Sequence, residues 1–181
     1  MGAPANRPLK LTGRLRGPQL NGTIVGQTCM STQFRQLNDG WNAEPNAPDP
    51  SVEVDGSDIV LSFLANPFQF PRFAEDQRLR LRFTGGRKYR LGSTNDEGWY
   101  RGQCRFSGEA PAWGEFYELS GDLKLDQTPN DWHRVGDANR PGRHFLFYLR
   151  DHTFECEADD WVLDEGAVQP AVAADGATPR R

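Results

Sequence analysis

From Phe145 to Ala158 the chain reads FLFYLRDHTFECEA, and this stretch constrains the fold more than any other. Successive side chains of a strand point to opposite faces, so apolar residues at every second position make one buriable face. A two-residue turn at Asp151-His152 sets Leu149 opposite Phe154, Phe147 opposite Cys156 and Phe145 opposite Ala158. The other face then pairs Arg150 with Thr153, Tyr148 with Glu155, Leu146 with Glu157 and His144 with Asp159, and is almost wholly polar. Asp and His both tolerate the positive φ such a turn needs.

Further short alternating runs follow the same logic. Segments 52–54 and 59–64 flank Asp55-Gly56, a hairpin signal. Leu79, Leu81 and Phe83 alternate with Arg78, Arg80 and Arg82, and the next strand holds Tyr89 and Leu91. A three-residue loop, Gly85-Gly86-Arg87, puts Phe83 opposite Tyr89 and Leu81 opposite Leu91, and therefore Arg82 opposite Arg90. Residues 100–106 and 113–120 read as two more strands joined by loop 107–112, and residues 31–37 as a short helical turn. The predicted fold class is all-β, mainly antiparallel: a small β-barrel or β-sandwich with that helical turn near the N-terminus. A barrel is preferred because closure removes exposed edges.

One domain accounts for 181 residues. A hydrophobic fraction of 36% and a mean hydropathy of -0.72 are low, but the apolar residues concentrate between 52 and 163. Residues 1–22 carry Arg7, Lys10, Arg14 and Arg16 without an acid and read as a flexible basic arm. Residues 23–164 form the β-rich domain, and 165–181 a disordered tail of small residues. No apolar run is long enough for a membrane span, and no apolar segment follows the N-terminal basic residues as in a secretory signal. Cys29, Cys104 and Cys156 lack the spacing of a disulfide framework or zinc site, so a soluble, cytoplasmic protein with reduced thiols is expected. A net charge of -4 argues against nucleic-acid binding. His133, His144 and His152 make no metal set, no glycine-rich phosphate loop is present, and no cofactor is expected.

The expected function is recognition of a protein or anionic partner through loops 38–50 and 94–99 and the arginine-rich strand face. Trp41, Asn42 and Glu44 combine an aromatic platform with amide and carboxylate groups, and Trp99 supplies a second aromatic anchor. Trp41 has an alternative role as a plug at one end of the fold, with Asn42 and Asn46 fastening the loop. Arg80, Arg82 and Arg90 repel one another in the expected register, so acids of the same chain or of a partner must lie nearby. A small hydrolase is one alternative. Glu115 would sit in a barrel mouth among aromatic side chains, with Glu97 or Asp96 completing a glycosidase-like pair. One residue of slippage would instead pair Glu115 with Arg105. Another alternative is a small-ligand carrier of lipocalin-like architecture, in which the aromatic residues line a cavity.

Overall fold

The computed structural model describes residues 31–137 and 139–165, which form two antiparallel sheets. The six-stranded sheet runs β1 (Gln33–Gln36), β6 (Phe116–Ser120), β8 (Arg143–Leu149), β9 (His152–Ala158), β5 (Lys88–Gly92), β7 (His133–Arg134). The four-stranded sheet runs β10 (Asp160–Asp164), β4 (Arg78–Thr84), β3 (Asp58–Leu64), β2 (Ser51–Asp55). The all-β, antiparallel class holds, but the sheets stay open and no barrel closes; the architecture is a sandwich.

The barrel fails at residues 85–87. β4 and β5 are not a hairpin, because the chain there crosses from one sheet to the other. Phe83 lies opposite Ile59 and Trp161, whereas Tyr89 lies opposite Cys156. Arg82 faces Val60 and Val162, and Arg90 faces Glu155, so the two arginines never meet. Gly85 has φ 59, and a Cβ on Gly86 would meet the Ile59 side chain at 2.6 Å, so this crossing needs its glycines. Arg87 is only 2% exposed and donates to the carbonyls of Arg140 and Pro141 and to Asp159 Oδ1 at 2.6 Å. Asp159 marks the second crossing, from β9 to β10, and its N–H donates to the Thr84 carbonyl. One ion pair thus clamps both passages between the sheets.

Two of the four strand pairs read from the sequence are present. β2 pairs with β3 from Ser51 opposite Ser62 to Asp55 opposite Asp58. β8 pairs with β9, but the turn is Arg150-Asp151, with Leu149 opposite His152, Phe147 opposite Phe154 and Phe145 opposite Cys156. The expected register was wrong by two residues along one strand, a shift that keeps every side chain on its face and sets the Phe147 and Phe154 rings opposite each other.

Two expected elements are replaced. Residues 31–37 are not helical: β1 pairs with β6, and exposed Gln33 and Arg35 alternate with more buried Thr32 and Phe34. Sheet pairing overrides the local turn signal. Residues 100–106 are not a strand, because β6 is already paired on both sides, with β1 and β8. Instead Asn95 caps the helix α1 (Asp96–Tyr100), its side chain accepting from the Gly98 N–H at 2.9 Å, and turns follow.

The sheets pack face to face over Phe145, Phe147, Phe154 and Cys156 from one side and Ile59, Leu61, Phe63, Leu81 and Phe83 from the other. A second apolar cluster lies on the opposite face of the six-stranded sheet. There the excursion 93–115 lays Trp99, Phe106 and Ala110 over Tyr117, Leu119, Leu146 and Tyr148. The supposedly polar face of the β8–β9 hairpin is therefore covered. Its His144, Thr153 and Glu155 are buried.

Segment 1–22, like residues 23–30 and 166–181, lies outside the described residues. Glu165, expected to begin the tail, accepts from Arg72 Nη1 at 2.7 Å. Among the described residues no helix is long and apolar enough to cross a membrane.

Candidate functional site

Where β3 ends and β8 turns into β9, loops 38–50 and 94–99 meet around a pocket of about 310 Å³. The loop after Trp41 runs along the end of β3: Glu44 N–H donates to Leu64 O at 2.8 Å, and Asn66 N–H to Asn42 O at 3.0 Å. Asn42, Glu44, Asn66, Gln69, Asp96 and Arg150 supply polar lining, and Trp113 and Tyr148 form an aromatic wall. The Trp113 ring stacks on Tyr148 at 4.7 Å between centroids. Glu44 is oriented by its own loop, accepting from the backbone N–H of Asn46 and Ala47. Asn66 Oδ1 accepts from Gln69 N–H at 3.0 Å, which fixes the neighbouring turn. Asp96 opens α1 and lies 3.6 Å from Arg150 Nη1. Donors, acceptors and one aromatic wall in a shallow pocket suit reversible recognition.

Two large side chains at this end face solvent. Phe68, in the turn between Asn66 and Gln69, is 78% exposed. Tyr100, one helical turn after Asp96 on the same face of α1, is 77% exposed. Phe68 also borders a second depression, of about 210 Å³, that shares Glu44 with the first.

The other residues singled out from sequence are placed as follows. Trp41 is 4% exposed and packs against Phe63, Phe116, Phe147 and Trp161, the plug position and not a surface one. Trp99 is likewise buried, in the second cluster beneath the loop it was expected to crown. Glu115 accepts from Gln36 Nε2 at 2.8 Å and Asn38 Nδ2 at 2.6 Å; it neither shares a face with residues 100–106 nor meets Arg105. The pocket that holds Asp96 is lined by Gly114 and not by Glu115. Glu97 pairs with Arg101 at the surface. Arg80 and Arg82 lie on the outer face of the four-stranded sheet and meet Glu53, Asp55 and Asp58 from the adjoining hairpin. Arg90 belongs to the other sheet, so no single arginine face exists.

Arg90 leads to a group that alternation concealed. Glu155 is 0% exposed and bonds His144 Nε2 at 2.9 Å, Arg90 Nη1 at 3.3 Å and Arg105 Nη1 at 3.3 Å. Arg90 is also held by both oxygens of Asp131, at 2.8 and 3.0 Å. Burial pushes the Glu155 carboxyl up, but the His144 hydrogen bond and the charges of His144, Arg105 and Arg90 outweigh it and hold the carboxyl below its usual range. Burial lowers the Arg105 pKa. The charges compensate one another, and the chemistry of the cluster is that of a clamp between sheet and covering loops. Its sequence signal was present: Leu146 and Tyr148 share the face of Glu155 and needed a cover, which the aromatics after Gly98 provide.

Cys104 and Cys156 are free thiols, and burial raises the pKa of both, which disfavours the reactive thiolate. No family model, no curated protein and no solved structure matches the chain.

Proposed function

We propose that the chain is a recognition protein that binds a protein partner through the loop end of the sandwich. The observation that carries this reading is that Phe68, between pocket residues Asn66 and Gln69, and Tyr100, one helical turn after pocket residue Asp96, are each more than three-quarters exposed, next to a polar pocket assembled from five separate segments. Exposed large aromatics around convergent polar groups are the usual energetic centres of protein interfaces. Asn42, Glu44, Asp96 and Arg150 serve as hydrogen-bonding partners at the rim, while Trp41 and Trp99 support the loops from beneath. An anionic partner on the arginine strand has less support, since Arg80, Arg82 and Arg90 each have acidic neighbours in the chain. A hydrolase also has less support, because Glu115 is tied to two amides outside the pocket. A carrier would need space where Phe63, Phe83, Phe145 and Phe147 fill the interior. The reading includes a cytoplasmic location, which the unpaired thiols of Cys104 and Cys156 favour.

The test is native mass spectrometry of the protein isolated gently from its own cells. Wild type is expected to carry a defined additional protein mass, and the Phe68→Ala/Tyr100→Ala variant to lose it while unfolding at the same temperature. A partner retained in full by that variant overturns the proposal.

A further inference from the structure

The second depression beside this rim has a character that the first does not. Its walls include Leu64, Ala65 and Pro67, and the exposed ring of Phe68 stands at its edge. Around these apolar groups are three carboxylates, Glu44, Glu75 and Asp76. On the neighbouring sheet face Glu53, Asp55 and Asp58 are matched by Arg80 and Arg82. Arg72 and Arg78, the basic residues flanking Glu75 and Asp76 in sequence, are engaged by Glu165 and Asp49. Among the described residues none of the three carboxylates has a basic side chain within ion-pair distance. The Glu44 carboxylate is held in place by backbone N–H groups, which leave its negative charge uncompensated.

We infer that this depression receives a lysine or arginine side chain of the protein partner. Such a side chain matches each part of the site. Its methylene stem lies along apolar walls while the charged head remains hydrated near carboxylates. The Phe68 face offers a further attraction to a cation. A volume of about 210 Å³ admits one long side chain. A divalent metal ion does not suit the arrangement, because the described residues contain no group of three or more acidic, histidine or cysteine ligands that could hold one. An uncharged apolar group would leave the three negative charges without a counterpart.

The inference rests on the reading that this end of the sandwich binds a protein, and the experiment separates the two. Full-length isotope-labelled protein is titrated with acetyl-Gly-Lys-Gly-amide, and amide shifts are followed by NMR at low and high salt. Shifts confined to residues 64–68 and 74–77 are expected, and they weaken as salt rises. The Glu75→Gln/Asp76→Asn variant should bind about tenfold more weakly, equivalent to about 1.4 kcal/mol. The same peptide with its lysine acetylated should produce no shifts. Equal binding of the acetylated peptide, absence of localised shifts, or full affinity in the double variant each overturns the inference. Tenfold tighter binding after deletion of residues 1–22 would make the chain's own basic segment the occupant and overturn the partner assignment. If a cellular partner depends on Phe68 and Tyr100 while the lysine peptide fails, only this inference falls. If the lysine peptide binds while the partner ignores both aromatics, the recognition reading falls and the pocket stands alone.

Discussion

Replacing Glu155 by Gln keeps the size of a wholly buried side chain and removes its charge, so the outcome isolates electrostatics from packing. Arg90 would keep its two bonds to Asp131 and lose little. Arg105 is in a different position. Its side chain is 4% exposed, and without Glu155 it retains only the Leu123 carbonyl and the Phe106 ring. A buried guanidinium would be left without a counter-charge, and the new amide nitrogen would direct a donor at other donors. Stranding one partner of a buried pair costs about 3–5 kcal/mol. At roughly 3 °C per kcal/mol for a domain of this size, Tm should fall by about 10–15 °C. Urea unfolding at pH 7, followed by tryptophan fluorescence, measures the change with the m-value unaltered. The sign of the pH dependence follows from the depressed folded pKa of Glu155. Its contribution is fully present above the unfolded carboxyl value of about 4.3 and is lost as pH falls through the folded value. Wild type should therefore lose part of its advantage over Glu155→Gln on acidification below about pH 4.3. The Glu155→Gln/Arg105→Met variant should recover part of the loss, because it removes the stranded cation too. A loss below about 1 kcal/mol at pH 7 would refute the clamp.

Two further perturbations test the framework. Arg87→Met should cost about 2–4 kcal/mol, because it leaves the Arg140 and Pro141 carbonyls and Asp159 without their donor. Hydrogen exchange should quicken at Asp159, whose N–H bridges to Thr84, and uniform protection there would refute the double-crossing clamp. Trp41→Ala should cost about 3–5 kcal/mol by emptying the space against Phe63, Phe116 and Phe147. A denaturation midpoint within error of wild type would mean that the indole is not part of the core.

Local alternation carried the strand content because a strand with one buried face writes its burial into every second residue. That is why the β8–β9 hairpin could be read down to the residues sharing each face, while β2–β3 was read from its two runs flanking Asp55-Gly56. Turn position was less legible, since sliding β9 by two residues leaves the faces of Phe145 and Phe154 unchanged. The candidate site was legible only as two loops of suitable chemistry. Asn42, Glu44 and Asp96 proved to line one pocket, but Gln69, Trp113 and Arg150 joined them from distant segments. Phe68 and Tyr100 gave no warning, since an aromatic in a run of polar residues has the same appearance whether it ends exposed or buried.

The arginines mark the boundary between the two kinds of information. The sequence suggested acids near Arg80, Arg82 and Arg90 through a register that would have set Arg82 opposite Arg90; that register does not form, yet each arginine does have acidic neighbours. Which acids answer was decided by the passage at Gly85-Gly86-Arg87, which sends Arg82 to Asp55 and Asp58 and Arg90 to Asp131 and Glu155. Strand faces, turn chemistry and the need for a buried core are properties of neighbouring residues. Sheet assignment, the cover over Glu155 and the meeting of loops at one pocket depend on contacts between residues far apart in the chain. Those contacts are chosen by the packing of the whole core.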